Sequence, residues 1–268
     1  MSSYQQFAYL YDYLMREAPY DQWLSLWDGI WEQVDVCSVS SQPDQHRERP
    51  LKVADIGCGT GRLCFALAEK GHQVWGIDMS DDMLVVAEEK KSAAPLPVRK
   101  RIQFLCQDMR DLQLTEKVDI VVSFCDSINY LHSAEDLQTT FANLYAILNQ
   151  GGLLVFDLLA IEKMRSTIGN QKHFEVADDT VCIWQNQWDE EQHKLHYDLT
   201  FFVQEEDNLY SRFDEYHIQT GFTINLVRQC LLDQGFVILK EFADFDLDKA
   251  IGDATDRYFW AVKKIETT

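Results

Sequence analysis

Basic residues are scarce in this sequence of 268 residues, which has 24 Lys and Arg against 44 Asp and Glu and a formal net charge of −20. A surface with this charge repels phosphate backbones, so a nucleic-acid-binding protein of this composition would need a concealed basic cleft. The composition therefore favours a small-molecule or protein substrate. An RNA substrate stays open as an alternative.

Long apolar runs are also missing. No stretch approaches the ~20 residues that a membrane-spanning helix needs, and the amphipathic N-terminal segment carries acids, unlike the apolar core of a signal peptide. The seven cysteines are odd in number and contain no Cys-x-x-Cys pair, which argues against a zinc site or a disulfide framework. We expect a cytoplasmic protein with no membrane association and no metal site. Nothing in the sequence specifies an oligomeric state.

Hydrophobic residues, by contrast, make up 46% of the chain and are arranged in two kinds of pattern. Two amphipathic helical segments open the chain, and a polar stretch over 38–50 follows them. From Leu51 short apolar runs alternate with helical patterns, which predicts a parallel sheet with right-handed crossovers. The predicted strands are 52–56, 73–77, 102–106, 118–124 and 152–158, and the predicted helices are 61–70, 81–91 and 134–148.

The alternation stops after Leu159. Polar residues then alternate with aromatic ones, which predicts consecutive antiparallel strands with one wet face. These strands are predicted over 172–177, 181–189, 194–204 and 208–219, followed by a helix over 223–234 and strands over 236–242 and 258–263. We therefore predict three parts: an N-terminal helical cover (1–36), an α/β core (50–160 and 221–268) and an inserted antiparallel β lobe (170–220).

The most informative motif is a run of alternating glycines between the first predicted strand and the first core helix. Glycines at Gly57, Gly59 and Gly61 allow the backbone to turn sharply and to approach a ligand closely, and Asp55 precedes them at the end of the strand. A dinucleotide-binding fingerprint would have its third glycine at position 62, where this chain has Arg62. No Lys-Ser/Thr pair follows, as a phosphate-binding loop would require. A tight turn without a ligand is the alternative interpretation.

Two further acids follow the next two predicted strands. Asp78 ends the second strand, where a carboxylate can accept hydrogen bonds from a ribose diol and would repel a 2′-phosphate. Asp108 follows the third strand, where it could accept a hydrogen bond from an adenine amino group. Asp78 could instead cap the following helix, although Ser80 is placed for that role, and Asp108 could be a solvated turn residue.

Together these three elements resemble class I S-adenosylmethionine-dependent methyltransferases, over residues 50–160 and the last two strands. The resemblance implies an α/β fold with a Rossmann-like, doubly wound sheet of seven strands in the order 3-2-1-4-5-7-6, the seventh antiparallel. It also implies S-adenosyl-L-methionine as cofactor, with Asp55 near its amino group, Asp78 at its ribose and Asp108 at its adenine. The residues expected to bind this cofactor are Tyr11, Asp55, Gly57, Cys58, Gly59, Thr60, Gly61, Asp78, Met79, Gln107, Asp108, Met109 and Cys125.

The first residues carry a second resemblance. Tyr4, Phe7, Ala8, Tyr11 and Asp12 match the N-terminus Tyr-x-x-Phe-Ala-x-x-Tyr-Asp of a subgroup of small bacterial methyltransferases. In that subgroup the segment covers the cofactor cleft, and the substrates are largely undefined. This resemblance therefore implies methyl transfer without identifying the acceptor.

Candidates for acid–base catalysis follow the fourth strand, where the family lines the methyl-transfer pocket. These are Asp126, Tyr130 and His132, and histidine is the residue type that most often serves as a general base. A base is needed only if the acceptor atom must lose a proton, so His132 could equally be a polar residue at the start of the next helix. Tyr216 and His217, on the last inserted strand, could point into the cleft or be structural.

The preferred function is thus methyl transfer to a small molecule. An RNA methyltransferase and a non-catalytic cofactor-binding protein are the alternatives. A nicotinamide-dependent oxidoreductase is a further one, which Arg62 disfavours.

Overall fold

The computed structural model describes residues 3–33, 50–176, 179–205, 209–252 and 254–265, and of residues 3–6 and 31–33 it describes the backbone only. Some predicted features lie outside this description. They are the Tyr4 side chain, residues 34–36 of the N-terminal cover, the polar stretch up to residue 49, strand residues 177 and 208, and the chain from residue 266.

Helices and strands alternate through the first half of the chain, and consecutive strands dominate the second half. The helices are α1 (Ser3–Leu14), α2 (Tyr20–Gln33), α3 (Arg62–Glu69), α4 (Asp81–Ala93), α5 (Leu96–Arg99), α6 (Ala134–Ile147) and α7 (Ile224–Asp233). The strands are β1 (Lys52–Ile56), β2 (Gln73–Asp78), β3 (Ile102–Cys106), β4 (Val118–Ser123), β5 (Leu148–Leu159), β6 (Lys172–Val176), β7 (Thr180–Asp189), β8 (Lys194–Gln204), β9 (Tyr210–Thr220), β10 (Phe236–Ala243) and β11 (Arg257–Lys264). Short helical turns cover Met15–Glu17, Ser127–Tyr130 and Lys163–Ile168.

Seven strands form one mixed sheet in the order β10-β11-β5-β4-β1-β2-β3. β11 pairs antiparallel with β5 and with β10, and the pairs among β1 to β5 are parallel. This confirms the predicted order and the antiparallel last strand. The order of the strands reverses between β1 and β4, so the loops after these two strands separate and leave a crevice at their carboxyl ends.

Apolar side chains from both faces of the sheet pack against helices. In β1, Val53 and Ala54 belong to clusters on opposite faces, as the alternation of a strand requires. α6 and α7 cover one face, and α2 and α3 cover the other, where Trp23 of α2 is almost fully buried. α2 therefore belongs to the packed layer against the sheet, whereas α1 lies outside it.

The residues after β5 build a separate antiparallel sheet, the lobe, in the order β6-β7-β8-β9. Its register places Phe201 of β8 opposite Phe213 of β9, and the two rings stack with centroids 4.8 Å apart. Phe7 of α1 packs on this pair, with its ring 5.7 Å from that of Phe201. The lobe and α1 thus share a hydrophobic cluster separate from the two clusters of the main sheet.

The start of β5 is the element that the sequence pattern places least well. β5 begins at Leu148, directly after α6, rather than at the predicted residue 152. The two glycines in this segment predict a turn, but here Leu148 pairs with Val118 and, after a register shift, Leu153 pairs with Ile120. The glycine segment is therefore a bulge inside the strand, in which Gly151 has a φ of 74°. The other predicted elements are found with small shifts of their ends, and α5 was not predicted.

None of the helices in the described part of the chain combines the length and apolar character that crossing a membrane requires.

The Phe201–Phe213 stack predicts how much the buried face of the lobe contributes to the free energy of unfolding. Phe201→Ala should lower the free energy of unfolding by about 3–5 kcal/mol, because buried contacts are lost and a cavity remains. Phe174→Ala is the control, since this side chain is 72% exposed, and should change it by about 0.5 kcal/mol or less. Urea unfolding measures both. Equal losses in the two variants would contradict the packing described here.

Candidate active site

The glycine loop after β1 has a backbone conformation that other residues rarely adopt. Gly57, Gly59 and Gly61 have φ values of 73°, 53° and 80°. A Cβ at Gly57 would lie 2.5 Å from Ser127, and one at Gly61 would lie 2.7 Å from the ring of Phe104. The glycines therefore let the loop approach both β3 and the segment after β4.

Asp78, at the end of β2, holds the glycine loop in this shape. Its Oδ2 accepts a hydrogen bond from the Gly59 amide at 2.7 Å, and its Oδ1 accepts one from the Ser80 amide at 2.9 Å. Ser80 itself caps α4, because its hydroxyl oxygen accepts from the Met83 amide. Burial raises the pKa of Asp78, and the backbone donors partly offset this. Asp78 thus organises the loop while Ser80 is the helix cap.

Asp55 is a buried carboxylate with a weak partner. It is 3% exposed and accepts a hydrogen bond from the Cys64 thiol at 3.2 Å. Burial raises its pKa to about 7, and the nearby Asp78 adds to this effect. A thiol is a weak donor, so no strong donor or cation among the described residues compensates this group. An ammonium group at this position would do so.

α1 is fastened to the glycine loop by polar contacts. Asp12 accepts a hydrogen bond from the Thr60 hydroxyl at 2.6 Å and forms an ion pair with Lys90, which also donates to the Thr60 carbonyl. The ring of Tyr11 lies 3.7 Å from the position a Cβ would take at Gly59. The ring of Tyr11 therefore lies over the glycine loop.

Arg62, which stands where a dinucleotide fingerprint would have a glycine, has a structural role here. Its guanidinium lies 4.1 Å from the centroid of the Tyr20 ring and donates to the Met15 carbonyl. It therefore ties the junction between α1 and α2 to α3.

The segment after β3 lies beside Asp78, because Cys106 is the register partner of that residue. Asp108 is bound by Arg110 through Nε at 3.0 Å and a terminal nitrogen at 2.6 Å, and this guanidinium lowers the pKa of the carboxyl. The Gln107 side chain exchanges two hydrogen bonds with the backbone of Gln113.

Two predicted methionines differ in exposure. Met79 is 69% exposed after β2, whereas Met109 is half-buried against the core. Met79 is therefore free to contact a ligand, and Met109 also serves packing.

The end of β4 carries two consecutive non-glycine residues in the left-handed region. Cys125 and Asp126 have φ values of 59° and 54°, which costs on the order of 1–3 kcal/mol each and persists only when surrounding contacts hold it. The Asp126 amide donates to Asp157 Oδ1 at 2.9 Å, and the Ser127 hydroxyl donates to the Phe124 carbonyl at 2.8 Å. These bonds fix the wall of the crevice.

A buried cation connects this wall to the rest of the fold. Arg257 of β11 donates to Asp157 at 2.9 Å and to Asp126 at 2.8 Å, and the Trp23 indole also donates to Asp157 at 2.8 Å. Arg257 and Asp157 were not predicted from the sequence as site residues. The sequence does mark Asp157, because it is a charged residue within the apolar run of β5, where it is fully buried.

The lobe is attached to the same wall. Gln219 of β9 donates to Asp126 at 2.5 Å and accepts a hydrogen bond from the Tyr197 hydroxyl at 2.8 Å. Asn129 donates to the Thr220 carbonyl at 2.9 Å, and its side-chain oxygen accepts from the Leu159 amide. Sequence analysis also missed Gln219 and Tyr197.

These segments line a cleft. Aromatic side chains of α1 and α2, the glycine loop and the end of β4 form its walls. The lining residues are Tyr11, Tyr20, Trp23, Asp55, Gly57, Cys58, Leu63, Phe124, Cys125 and Ser127. Tyr11 and Cys125, which are far apart in the sequence, therefore line the same cleft as Asp55 and the glycine loop.

The three catalytic candidates differ in position. Asp126 is engaged by Arg257 and Gln219, and the ring of Tyr130 contacts that of His217 at 6.0 Å. His132 is exposed, its amide donates to Asp136 in the first turn of α6, and it is not among the residues that line the cleft. Tyr216 points outward and is 51% exposed, whereas His217 points inward, with its ring 5.4 Å from that of Phe7.

The described residues contain no group of three or more His, Cys, Asp or Glu side chains that could hold a metal ion.

Fold and site together define a class of protein. A doubly wound sheet in this order, with a glycine loop after its first strand and an acid closing that loop from the second, is the architecture of class I S-adenosylmethionine-dependent methyltransferases. Residues 53–152 match a family model described as a methyltransferase domain.

Relatives agree with this class over the whole chain. The chain is 35% identical to a protein of Geobacillus sp. (strain WCH70) named as a methyltransferase, over 98% of this chain and 100% of the relative. It is 34% identical to YqeM of Bacillus subtilis (strain 168), also named as a methyltransferase, over 98% of each. A crystal structure of an S-adenosylmethionine-dependent methyltransferase from Clostridium acetobutylicum superposes with a TM-score of 0.79 at 26% identity, covering 98% of this chain and 99% of that one.

The chain therefore belongs to this family of S-adenosylmethionine-dependent methyltransferases. The oxidoreductase alternative falls away, and S-adenosylmethionine is the cofactor. The finer assignment to the subgroup with the N-terminal tyrosine motif stays a prediction.

The Arg257 network predicts a coupled loss of stability. Arg257→Met leaves two carboxylates without their cation and should lower the free energy of unfolding by about 3–5 kcal/mol. Adding Asp157→Asn should recover part of this loss, because one uncompensated charge disappears. A double-mutant cycle in urea measures the coupling. Additive losses would show that the two side chains do not interact.

Proposed function

We propose that this methyltransferase transfers the methyl group of S-adenosylmethionine to a small-molecule acceptor within the cleft. The observation that carries this proposal is the cleft between the N-terminal helices, the glycine loop and the end of β4. Its walls combine aromatic side chains of α1 and α2 with the bare backbone of the glycine loop and the buried Asp55 carboxylate, and small-molecule sites have this mixture of apolar walls and a few polar groups. A folded RNA could place only a single flipped base between these walls.

Cofactor binding is assigned to the set predicted from the sequence. Asp55 suits the amino group of the cofactor, because it is buried and lacks a strong donor. Asp78 suits the ribose, since a carboxylate has about four acceptor sites and this one uses two of them on backbone amides. Asp108 would share its carboxylate between Arg110 and the adenine amino group. The remaining members of the set are Tyr11, Gly57, Cys58, Gly59, Thr60, Gly61, Met79, Gln107, Met109 and Cys125.

The bound sulfonium supplies an electrophilic methyl group: a lone pair of the acceptor forms the new bond to carbon, and the departing sulfur keeps the electrons of the broken C–S bond. The residues of this chain align the reactants and exclude water, effects worth up to about 7–11 kcal/mol in well-oriented systems. Desolvation and the charge of Asp126 raise the pKa of Tyr130, so its hydroxyl stays protonated and can donate to an acceptor. Asp126 is held as an ion pair, which suits positioning better than proton abstraction.

The three predicted parts of the chain receive separate roles in this proposal. The core (50–160 and 221–268) would hold the cofactor, the lobe (170–220) would bound the acceptor, and the N-terminal segment (1–36) would cover the cleft. Two contacts support the last role: Tyr11 lies over Gly59, and Asp12 is bonded to Thr60.

Charge supports a small acceptor over RNA. The cations around the cleft are already engaged, with Arg257 held between two aspartates, Lys90 paired with Asp12 and Arg62 stacked on Tyr20. Phosphate binding would require cations free to replace counterions. RNA methylation remains the second candidate, because a base could enter the cleft without backbone contacts. The six described cysteines are free thiols, which supports a reducing, cytoplasmic location.

The cofactor assignment predicts a pH-dependent affinity. An ammonium group binds the ionised form of Asp55, whose pKa in the free protein is about 7. S-adenosylhomocysteine, which carries the same amino group, should therefore bind about tenfold more weakly at pH 6 than at pH 8, because a proton must leave Asp55 first. The Asp55→Asn variant should bind S-adenosylhomocysteine weakly at both pH values. Calorimetry measures the four constants, and a pH-independent affinity in the unmodified protein would refute the assignment.

The acceptor class is tested by transfer of a labelled methyl group. The protein and labelled S-adenosylmethionine are incubated separately with the small-molecule, RNA and protein fractions of a bacterial extract. The label should appear in the small-molecule fraction and survive ribonuclease. Label in RNA alone would favour the second candidate. Retained cofactor binding with no label in any fraction would indicate a non-catalytic binding protein.

A further inference from the structure

The inner face of β9 carries a polar stripe that the cofactor site does not use. Inward-pointing residues alternate along this strand, and three of them are Glu215, His217 and Gln219. Gln219 is bonded to Asp126 and Tyr197. Glu215 is 3% exposed, yet neither carboxylate oxygen has a hydrogen-bond partner among the described residues, and the same holds for His217 Nε2.

The neighbouring strands extend this stripe. Asn186 of β7, Tyr197 of β8 and His217 of β9 are register partners in one row across the lobe. Within the described residues the Asn186 side-chain oxygen also lacks a partner, although its amide nitrogen donates to Ile168. A buried polar atom without a partner costs roughly 1–3 kcal/mol. Several such atoms on one face therefore indicate that something outside the chain satisfies them.

The stripe begins at the proposed methyl-transfer site. Gln219 contacts Asp126 at the end of β4, and the His217 ring lies 6.0 Å from that of Tyr130 and 5.4 Å from that of Phe7. Glu215 follows about 7 Å beyond His217, because two strand residues span that length. Gln219, which contacts Asp126, lies four strand residues from Glu215, or about 13 Å along β9. An extended small molecule can therefore reach from Asp126 to Glu215.

The negative charge around Glu215 determines which kind of chemical group can bind there. Burial raises the pKa of Glu215 to about 7, and the negative charge of Asp82, at the start of α4, adds to this. Two cations of α4 and of the turn after α1 are engaged elsewhere, because Lys90 pairs with Asp12 and Arg16 pairs with Glu175. An anionic group would be repelled by both carboxylates. A protonated amine would neutralise the charge of one of these carboxylates. The ammonium group itself is close in size to a water molecule.

His217 supplies a second contact for such a group. Burial lowers the pKa of His217, so the ring is neutral near pH 7 and a neutral ring can accept a hydrogen bond. Glu215 and His217 together offer acceptors to an ammonium group and to a hydroxyl or amide beside it.

We propose that Glu215 and His217 form the anchoring subsite for the methyl acceptor, and that this acceptor is an extended small molecule carrying an ammonium group at the end away from its reacting atom. The ammonium group pairs with Glu215, and the reacting atom lies near Tyr130 and Asp126. This inference rests on the proposed function, because it takes the cleft to be the site of methyl transfer.

The test compares a cation with its neutral counterpart. The full-length protein, saturated with S-adenosylhomocysteine, is titrated with n-butylammonium chloride and with n-butanol at equal ionic strength, and ligand-observed NMR gives both dissociation constants. The unmodified protein should bind the cation at least tenfold more tightly than the alcohol. Glu215→Gln should reduce this preference to less than twofold.

Asp198→Asn is the matched control, since it removes one negative charge from the exposed face of the neighbouring strand and should keep the tenfold preference. Equal binding of the two probes by the unmodified protein would overturn the proposal, and so would a preference that survives Glu215→Gln, which would then come from the net charge alone. If Glu215→Gln does not fold, Glu215→Asp replaces it and should weaken binding of the cation at least threefold.

Different results would contradict the proposed function and the subsite. If the unmodified protein does not bind S-adenosylhomocysteine, this result counts against the proposed function. Normal binding of that compound without a preference for butylammonium would count against the subsite alone.

Discussion

The buried guanidinium of Arg257 is the contact on which the shape of the active-site crevice depends. It reaches from β11 to Asp157 in β5 and to Asp126 after β4, and Trp23 of α2 donates to the same Asp157. A charge removed from water is tolerated only when it is paired and hydrogen-bonded, so these elements must meet in one arrangement. That arrangement keeps Cys125 and Asp126 in the left-handed conformation that forms the wall of the crevice.

The two N-terminal helices are held by interactions of different strength. Trp23 and other side chains of α2 are buried against the sheet, so α2 contributes to the core. α1 is fastened by the pair of Asp12 with Lys90, whose side chains are about a third exposed, and pairs of this kind contribute little. Its apolar face packs on the lobe through Phe7. α1 is therefore held mainly by its apolar contact with the lobe, and it lies over the glycine loop.

Much of the fold was predictable because its signals are local. The alternation of apolar runs and helical patterns predicted the order of the elements, and the family resemblance predicted the strand order. The bulge at the start of β5 was missed, because its glycines have the same pattern as a turn. Tyr216 and His217 were both candidates from the sequence, and only the folded lobe showed that His217 points inward and Tyr216 outward. His132 was a candidate base by residue type alone, and the structure places it in an exposed position beside α6.

The sequence by itself determined the glycine loop, Asp55 and Asp78, because backbone freedom and strand-end carboxylates are properties of residues close together in the chain. Only the tertiary structure decided which residues complete the site. Arg257, Gln219 and Glu215 come from strands far along the chain, and nothing in their immediate neighbours records the partner they meet. Folding decides those meetings, because a buried charge or amide takes its role from the groups packed around it and not from its position in the sequence.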